Sequence, residues 1–381
     1  MLRGFTEDFH AAEHEVTVLL DSRIAALHSP LRADHVVQIA ASGEADPSME
    51  KAAETADAAY VIAPEPNHVL QSIVECMETT GTLSLNCQSS GIEQASDKAA
   101  LAERASKLGL NFPKTTTFSA YDSSEEIARN IRRELTFPIV IKPANGAGCG
   151  GLSLIQNEKQ IAGAVRKVKA ETASAGVTVQ EYIEGTPVSV SLIGTGGEAL
   201  PVSLNLQYIT LAPPDGVSSY NGGLVPFAHP LRSEAFAAAK RLIEFFGNLR
   251  GYVGVDMVLT EDKAFVMEVN PRLTTSYVGL RKTANFNVAQ AIANSVLKGE
   301  LPKDPQHCGF ACFSKIPASA AAILDWNKAR PEAEVVTPPF QIAGEDYGFA
   351  LIQSMGKTAN EASLRLHEAK KHLHQIMLPE T

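Results

Sequence analysis

Residues 251–259 read GYVGVDMVL, residues 260–263 read TEDK, and residues 264–272 read AFVMEVNPR. Two apolar runs on either side of a short polar segment predict a β-hairpin whose turn is centred near Asp262. Because side chains alternate between the two faces of a strand, one face of this hairpin should be apolar. The residues expected on that core face are Val253, Val255, Met257 and Leu259 on the first strand and Phe265, Met267 and Val269 on the second.

The other face of the hairpin carries polar side chains that could bind a metal ion. A turn centred on Asp262 places Asp256 directly opposite Glu268, and Asn270 follows two residues later on the same face. Paired carboxylates repel each other unless a cation lies between them, and hard oxygen ligands favour Mg²⁺ or Mn²⁺. The alternative is a charged face that only meets solvent. The apolar surroundings and the following Pro271-Arg272 favour the metal site.

A second motif combines a lysine at the end of a strand with a glycine-rich turn. Residues 137–142 read FPIVIK and predict a strand that ends at Lys142, and the run at 146–151 has four glycines among six residues, Gly146, Gly148, Gly150 and Gly151. Glycine lets backbone N–H groups approach phosphate oxygens without a clash at Cβ. The run lacks the Lys-Ser/Thr ending of a P-loop. It therefore predicts a flexible lid over a phosphate, with Lys142 as a point charge.

The first 95 residues alternate short apolar strands with helices. Strands are expected at 14–21, 35–39 and 59–64, and helices at 48–56 and 67–80. This pattern is typical of a doubly wound parallel sheet, so the fold class is α/β. The chain opens with a helix where such units usually open with a strand, so a first strand is expected to be absent. Residues 177–275 read mainly as antiparallel strands, which makes the later part α+β.

Composition excludes several classes of partner. The 381 residues carry a net charge of −10 without a basic run, so neither nucleic acid nor an anionic membrane is an expected partner. No apolar run reaches the roughly 18–20 residues that span a bilayer. The five cysteines are scattered and odd in number, which favours a reducing cytoplasm over a disulfide framework. Small-molecule substrates are the remaining expectation.

Four stretches together resemble the ATP-grasp superfamily and occur in its order. Residues 268–272 (EVNPR) resemble its metal-binding strand, and residues 96–98 (SDK) resemble the start of its central domain. Residues 141–151 resemble its phosphate-covering strand and loop, and residues 179–185 (VQEYIEG) resemble its adenine-binding linker. The resemblance implies an ATP-grasp fold. It divides the chain into an N-terminal pre-ATP-grasp domain (1–95), a linker helix region (96–112), a small lid subdomain (113–178) and a large subdomain with a C-terminal extension (179–381).

The resemblance also implies roles for individual residues. ATP and Mg²⁺ (or Mn²⁺) are the implied cofactors, with Asp256, Glu268 and Asn270 as metal ligands. The residues implied to contact the nucleotide are Lys98, Lys142, the four glycines, Gln180, Glu181, Tyr182, Ile183 and Glu184. Members of the family often carry a ribose-binding glutamate where this chain has Pro187, so Glu184 is considered for the ribose instead. Lys142 and Arg272 are implied to be catalytic, with Arg272 stabilising an acyl phosphate. The alternative for Arg272 is a structural ion pair.

Residues 249–256 (LRGYVGVD) and 274–280 (TTSYVGL) are similar to a narrower branch, the tyramine–glutamate ligases of methanofuran biosynthesis. That branch joins a carboxylate, glutamate, to an amine, and a homodimer is expected by analogy with many relatives. The substrate residues it implies are Arg250, Arg272, Thr274, Thr275 and Ser276. The alternative for the last three is helix-cap chemistry. A bicarbonate-activating carboxylase, suggested by residues 343–350, and a non-catalytic ATP-binding relative are the alternative functions.

Overall fold

The computed structural model describes residues 1–25, 31–40, 45–119, 121–146, 148–171, 176–319, 335–341 and 347–377. The N-terminal part contains α1 (Leu2–Ala11), β1 (Thr17–Asp21), α2 (Ser22–Ala25), β2 (His35–Ile39), α3 (Ala45–Ala53), α4 (Val69–Thr80) and α5 (Ser89–Ser96). Strands β1 and β2 pair in parallel. The predicted parallel βαβ pattern is therefore present, and both predicted helices occur with shifted starts.

The third predicted strand, at 59–64, is reduced to a single parallel bridge between Ala59 and Ser84. The side chain of Asn86 explains why the pairing stops there. Its Oδ1 accepts a hydrogen bond from Val61 N (2.8 Å), and its Nδ2 donates to Val61 O (2.9 Å). An amide side chain thus satisfies the backbone groups that a neighbouring strand would otherwise pair.

A small antiparallel sheet follows helix α6 (Lys98–Lys107). Its elements are β3 (Thr115–Phe118), α7 (Ser124–Glu134), β4 (Ile139–Pro143), β5 (Ser153–Ile155), α8 (Ile161–Glu171) and β6 (Val177–Glu181), and the strand order is β3-β6-β4-β5. Helices α7 and α8 pack on one face through buried aliphatic side chains, among them Ile127 and Val165. We call this unit the lid sheet.

The large sheet has eight strands in the order β11-β10-β7-β8-β9-β12-β14-β13. Its strands are β7 (Thr186–Thr195), β8 (Ala199–Thr210), β9 (Ser219–Val225), β10 (Arg250–Leu259), β11 (Ala264–Asn270), β12 (Phe310–Ser319), β13 (Val335–Gln341) and β14 (Tyr347–Gly356). Its helices are α9 (Arg232–Phe246), α10 (Tyr277–Thr283), α11 (Val288–Leu297) and α12 (Ala359–Met377). Every pairing in this sheet is antiparallel, as the sequence predicts for residues 177–275.

The predicted hairpin is β10–β11, with Asp256 paired to Glu268 as expected. A β-bulge between Asp256 and Met257 changes the pairing nearer the turn, where Met257 pairs with Val266. The bulge leaves Met267 as the extra residue, so Ala264 and Val266 join the buried core together with Val269. The prediction that Phe265 and Met267 face the core is therefore wrong, because strict alternation fails at the bulge.

Helix α1 docks against the large unit through an ion pair. Arg281 on α10 contacts Asp8 at 2.6 Å and Glu7 at 3.0 Å, and Phe5 packs against Tyr277. Within the described ranges, no helix combines the length and the apolar character that crossing a bilayer requires. Residues 343–346 of the tail motif lie outside the described residues.

Candidate active site

The polar face of the hairpin forms the centre of the candidate site. Asn270 Nδ2 donates to Asp256 Oδ2 at 3.0 Å, and Gln207 Nε2 on β8 donates to Asp256 Oδ1 at 2.9 Å. The register places Glu268 directly across from Asp256. Sequence reasoning missed Gln207, because only the strand order β10-β7-β8 brings it to the hairpin.

The two carboxylates of this face differ in their electrostatics. Burial, followed by repulsion from Glu268, raises the pKa of Asp256 to about 6. Burial also acts to raise the pKa of Glu268, but the cations Lys98 and Lys142 outweigh it, and the net shift is downward. Two facing carboxylates and an amide form a hard-oxygen donor set that fits a divalent cation such as Mg²⁺. A cation there would relieve the repulsion that raises the pKa of Asp256.

Two partly buried lysines approach the same face from different elements. Lys142, in β4 of the lid sheet, donates from Nζ to Gln180 Oε1 at 3.0 Å, and burial lowers its pKa. Lys98, in the first turn of α6, donates to Ala144 O at 3.0 Å and contacts Glu268 at 3.4 Å. A cation in the first turn of a helix interacts unfavourably with the helix dipole. The attraction between Lys98 and Glu268 offsets this cost.

The glycine-rich turn connects β4 to β5. Gly148, Cys149 and Gly151 have φ values of 65°, 70° and 67°, in the left-handed region that favours glycine. A Cβ on Gly151 would lie 2.8 Å from the Pro143 side chain, so only glycine fits there. Burial, then Asp256 and Glu268, raise the pKa of the Cys149 thiol to about 11. Gly146 and Glu268 line the same small cavity, so the turn lies close to the hairpin.

The connection from β6 to β7 joins the lid sheet to the large sheet. The residues expected at the adenine, from Gln180 to Glu184, lie at the end of β6 and in this connection. Glu181 bonds the Lys114 backbone through both its N–H (2.9 Å) and its carboxylate (3.3 Å), and Glu184 is exposed. A Cβ on Gly185 would lie 2.4 Å from Leu259 O, so this segment passes tightly over the end of the hairpin.

The two arginines expected at the substrate lie in different places. Arg272 follows the hairpin, and its Nε donates to Glu65 Oε2 at 2.7 Å. Arg250 starts β10, where its guanidinium donates to the backbone oxygens of Ser84 (3.2 Å) and Asn86 (3.3 Å). Its Cα lies about 20 Å along the strand from that of Asp256, at about 3.3 Å per residue. The structure brings Arg272, but not Arg250, to the end of β11, which carries the candidate metal ligands Glu268 and Asn270.

Two of the three hydroxyl residues expected at the substrate, Thr274 and Ser276, bond buried polar side chains. Thr274 Oγ1 bonds Tyr252 OH at 2.9 Å, and Ser276 Oγ bonds Ser189 Oγ at 3.3 Å. The backbone oxygens of Thr274, Thr275 and Ser276 also accept N–H groups from the first turn of α10. These residues therefore form the start of α10, as the alternative interpretation expects, although Ser276 at the N-cap makes no side-chain capping hydrogen bond within this described part of the chain.

Comparison with known proteins identifies the family of this chain. Residues 95–276 match the model of the ATP-grasp domain, and residues 14–92 match that of the pre ATP-grasp 3 domain. A tyramine–L-glutamate ligase of Methanocaldococcus fervens is 32% identical over 228 residues, which cover 60% of this chain and 62% of the relative. The corresponding ligase of Methanocaldococcus jannaschii is 29% identical over 248 residues, 65% of each chain. The chain thus spans less than two thirds of the length of these relatives.

Among solved structures, the biotin carboxylase domain of Hydrogenobacter thermophilus 2-oxoglutarate carboxylase superposes with a TM-score of 0.74. That structure contains MgADP, ADP and bicarbonate, and the match covers 96% of this chain and 86% of the other. At 13% identity it supports the fold alone. Two adjacent family models, the curated relatives and this fold agree that the chain belongs to the ATP-grasp superfamily.

Proposed function

We propose that this protein is an ATP- and Mg²⁺-dependent ligase that activates a carboxylate as an acyl phosphate and transfers it to an amine. One observation supports this most directly. Lys98, Lys142, Asp256, Glu268 and Asn270 come from four separate elements and interact with one another between the lid sheet and the large sheet. Partly buried cations beside a hard-oxygen donor set are what the transfer of a phosphoryl group requires.

In the first step, a carboxylate oxygen of the acid attacks the γ-phosphorus of ATP. A P–O bond forms, the bond to the bridging oxygen of ADP breaks, and an acyl phosphate results. Lys142 and Lys98 stabilise the negative charge on the transferred group, and Gln180 fixes the position of the Lys142 ammonium. Asp256, Glu268 and Asn270 would hold Mg²⁺, which neutralises phosphate charge and aligns the phosphate oxygens.

In the second step, the amine nitrogen attacks the acyl carbon. The C–N bond forms, the C–O bond to phosphate breaks, and the amine gives up a proton, so the products are an amide, ADP and phosphate. Arg272 stabilises the negative charge of the tetrahedral intermediate and of the leaving phosphate through its guanidinium. Closure of the glycine-rich turn excludes water, which would otherwise hydrolyse the acyl phosphate.

We propose glutamate as the acid and an aromatic amine such as tyramine as the acceptor. The similarity to two tyramine–L-glutamate ligases supports this choice. A role in methanofuran-type biosynthesis follows from the same similarity. Thr274, Thr275 and Ser276, beside Arg272, are the proposed neighbours of the substrate.

The test measures ADP release with ATP and Mg²⁺ in the presence of glutamate, tyramine, other amino acids and bicarbonate. We expect release only when glutamate and tyramine are both present, with one amide formed per ADP. Lys142→Ala should abolish release, and Lys240→Ala, on the exposed side of α9, is the matched control that should retain it. Release that depends on bicarbonate alone would instead support the carboxylase alternative. ATP binding without release under any condition would support a non-catalytic relative.

A further inference from the structure

Glu65 is a carboxylate at the edge of the candidate site that the proposed mechanism does not use. It precedes the short 3₁₀ turn Pro66–His68, which leads into α4 of the N-terminal part. Its side chain is only 14% exposed, and its Oε2 accepts a hydrogen bond from Arg272 Nε at 2.7 Å. Glu65 therefore brings a negative charge from the N-terminal part to the arginine proposed to hold the acyl phosphate.

The second carboxylate oxygen of Glu65 has no hydrogen-bond donor. Among the described residues, none donates to Oε1, although this atom is buried. An unsatisfied buried acceptor costs on the order of 1–3 kcal/mol, and more when it is charged. Native proteins rarely retain such an atom without a reason, and a donor supplied by a ligand is one such reason.

A small cavity connects Glu65 with the metal-binding strand. Its volume is about 30 Å³, and its lining includes Asn67 and His68 on one side and Lys98 and Glu268 on the other. That volume is enough for one water-sized or ammonium-sized group. Asn67 and His68 both have left-handed φ values, 57° and 58°, an uncommon conformation for consecutive non-glycine residues. The turn is thus held in a costly shape where it borders this cavity.

The charges of the three reactants indicate which of them Glu65 would bind. ATP is an anion, which a carboxylate repels. Glutamate has an α-ammonium group but a net negative charge, and the described site already offers its carboxylates Lys98, Lys142 and Arg272. The amine is protonated at neutral pH and carries three N–H donors on one positive charge. It is therefore the one reactant with a net positive charge, and its ammonium group can satisfy Oε1 without bringing a carboxylate near Glu65.

We propose that Glu65 binds the ammonium group of the amine substrate through Oε1 while Arg272 holds Oε2. This inference rests on the proposed ligase function and identifies the residue that selects a charged amine. The ion pair would place the amine beside the guanidinium that stabilises the acyl phosphate. The ammonium group would then give one proton to the Glu65 carboxylate, and the neutral nitrogen would attack the acyl carbon. Because Oε1 is buried in the described conformation, the amine reaches it when the side chain or the turn at 65–68 shifts.

The test compares two nucleophiles that differ in charge. Hydroxylamine is mainly uncharged at neutral pH and traps acyl phosphates as hydroxamates, whereas tyramine is an ammonium ion. Wild type, Glu65→Gln, Glu65→Asp and the control Glu75→Gln are each assayed for both products, with glutamate, ATP and Mg²⁺. Glu75 is an exposed glutamate on the neighbouring helix α4, so its substitution makes the same chemical change outside the site. Melting temperatures verify that each variant is folded.

We expect Glu65→Gln to raise the KM for tyramine about tenfold or more, since a charge-assisted hydrogen bond is lost. Its hydroxamate rate should stay within about twofold of wild type, and Glu65→Asp, which keeps the charge, should restore part of the tyramine affinity. If both rates fall together, Glu65 acts by positioning Arg272 or by binding the α-ammonium group of glutamate, and the proposal is wrong. An unchanged KM for tyramine also overturns it. A wild type that forms neither product instead contradicts the ligase function itself.

If Glu65→Gln does not fold, Glu65→Asp decides the question. It retains the charge but shortens the side chain by one methylene group, so the amine loses its optimal distance. We then expect a higher KM for tyramine with an unchanged hydroxamate rate. Equal effects on both products in this variant would overturn the proposal.

Discussion

The two faces of the β10–β11 hairpin carry opposite kinds of side chain, apolar on one face and charged or polar on the other. On one face Val253, Val255 and Met257 are at most 1% exposed and pack into the largest core cluster. On the other face Asp256 and Glu268 face each other as carboxylates, beside the buried Asn270. Residues that are neighbours in sequence thus serve the stability of the fold on one side and its proposed chemistry on the other.

The largest expected effect comes from the polar face. Glu268→Gln keeps the shape of the side chain but removes the charge that pairs with Lys98 and would bind Mg²⁺. We expect ADP release to fall by about 100- to 1,000-fold, the range seen when one electrostatic group of an active site is lost. The melting temperature should stay within a few degrees of wild type. Turnover within tenfold of wild type would contradict the metal-site interpretation.

The converse change is Val266→Ala on the apolar face, two residues before Glu268. Val266 is fully buried, so losing two methyl groups should lower the free energy of unfolding by roughly 2 kcal/mol. ADP release per folded molecule should remain within about twofold of wild type. Denaturant unfolding and the ADP assay test both parts. A large loss of turnover without a loss of stability would mean that the two faces are not separable.

The sequence predicted the hairpin well because its signals are local. Alternation of apolar residues, a polar turn and the position of Asp262 were enough to pair Asp256 with Glu268. The bulge was not predictable, since strict alternation gives no reason for an extra residue at Met267. In the N-terminal part, the strand expected at 59–64 does not form. The side chain of Asn86, 25 residues after Val61, bonds the backbone N–H and C=O of Val61 that a neighbouring strand would otherwise pair.

The parts of the site that depend on tertiary structure were the hardest to predict. Gln207 reaches Asp256 only because β7 lies between their strands, and Glu65 reaches Arg272 across 207 positions of sequence. Neither residue lies in a motif. Arg250 illustrates the opposite problem, because its proximity in sequence to the hairpin suggested a substrate contact, whereas its guanidinium bonds the backbone of Ser84 and Asn86.

A smaller effect is expected at Gln207, which orients Asp256 without being a proposed ligand. Gln207→Leu removes one of the two hydrogen bonds to the Asp256 carboxylate and should weaken Mg²⁺ binding by about tenfold, as for partners that orient metal ligands. The half-saturating Mg²⁺ concentration in the ADP assay measures this. Gln290→Leu on α11 is the matched control, because its amide bonds Asn294 and His14 and should leave Mg²⁺ binding unchanged. Equal Mg²⁺ dependence in wild type and Gln207→Leu would refute the orienting role.

The smallest effect is the pH dependence of Mg²⁺ binding, which reports on the polar face alone. The pKa of Asp256 is about 6 and that of Glu268 is below its ordinary value, so Asp256 is the carboxylate of the pair that takes up a proton near neutrality. Protonation competes with the metal, and the affinity for Mg²⁺ should fall about twofold from about pH 7 to about pH 6 and more steeply below.

The stability of the metal-free protein should change with pH in the opposite direction. Because the pKa of Asp256 is raised in the folded state, the free energy of unfolding should fall as the pH rises from about 4 towards 6. Calorimetric Mg²⁺ titrations and thermal unfolding at matched pH values test both trends, and Asp256→Asn should remove both. A wild-type affinity that is flat over this interval would show that Asp256 is already ionised, and that the repulsion between the two carboxylates is weaker than their facing positions imply.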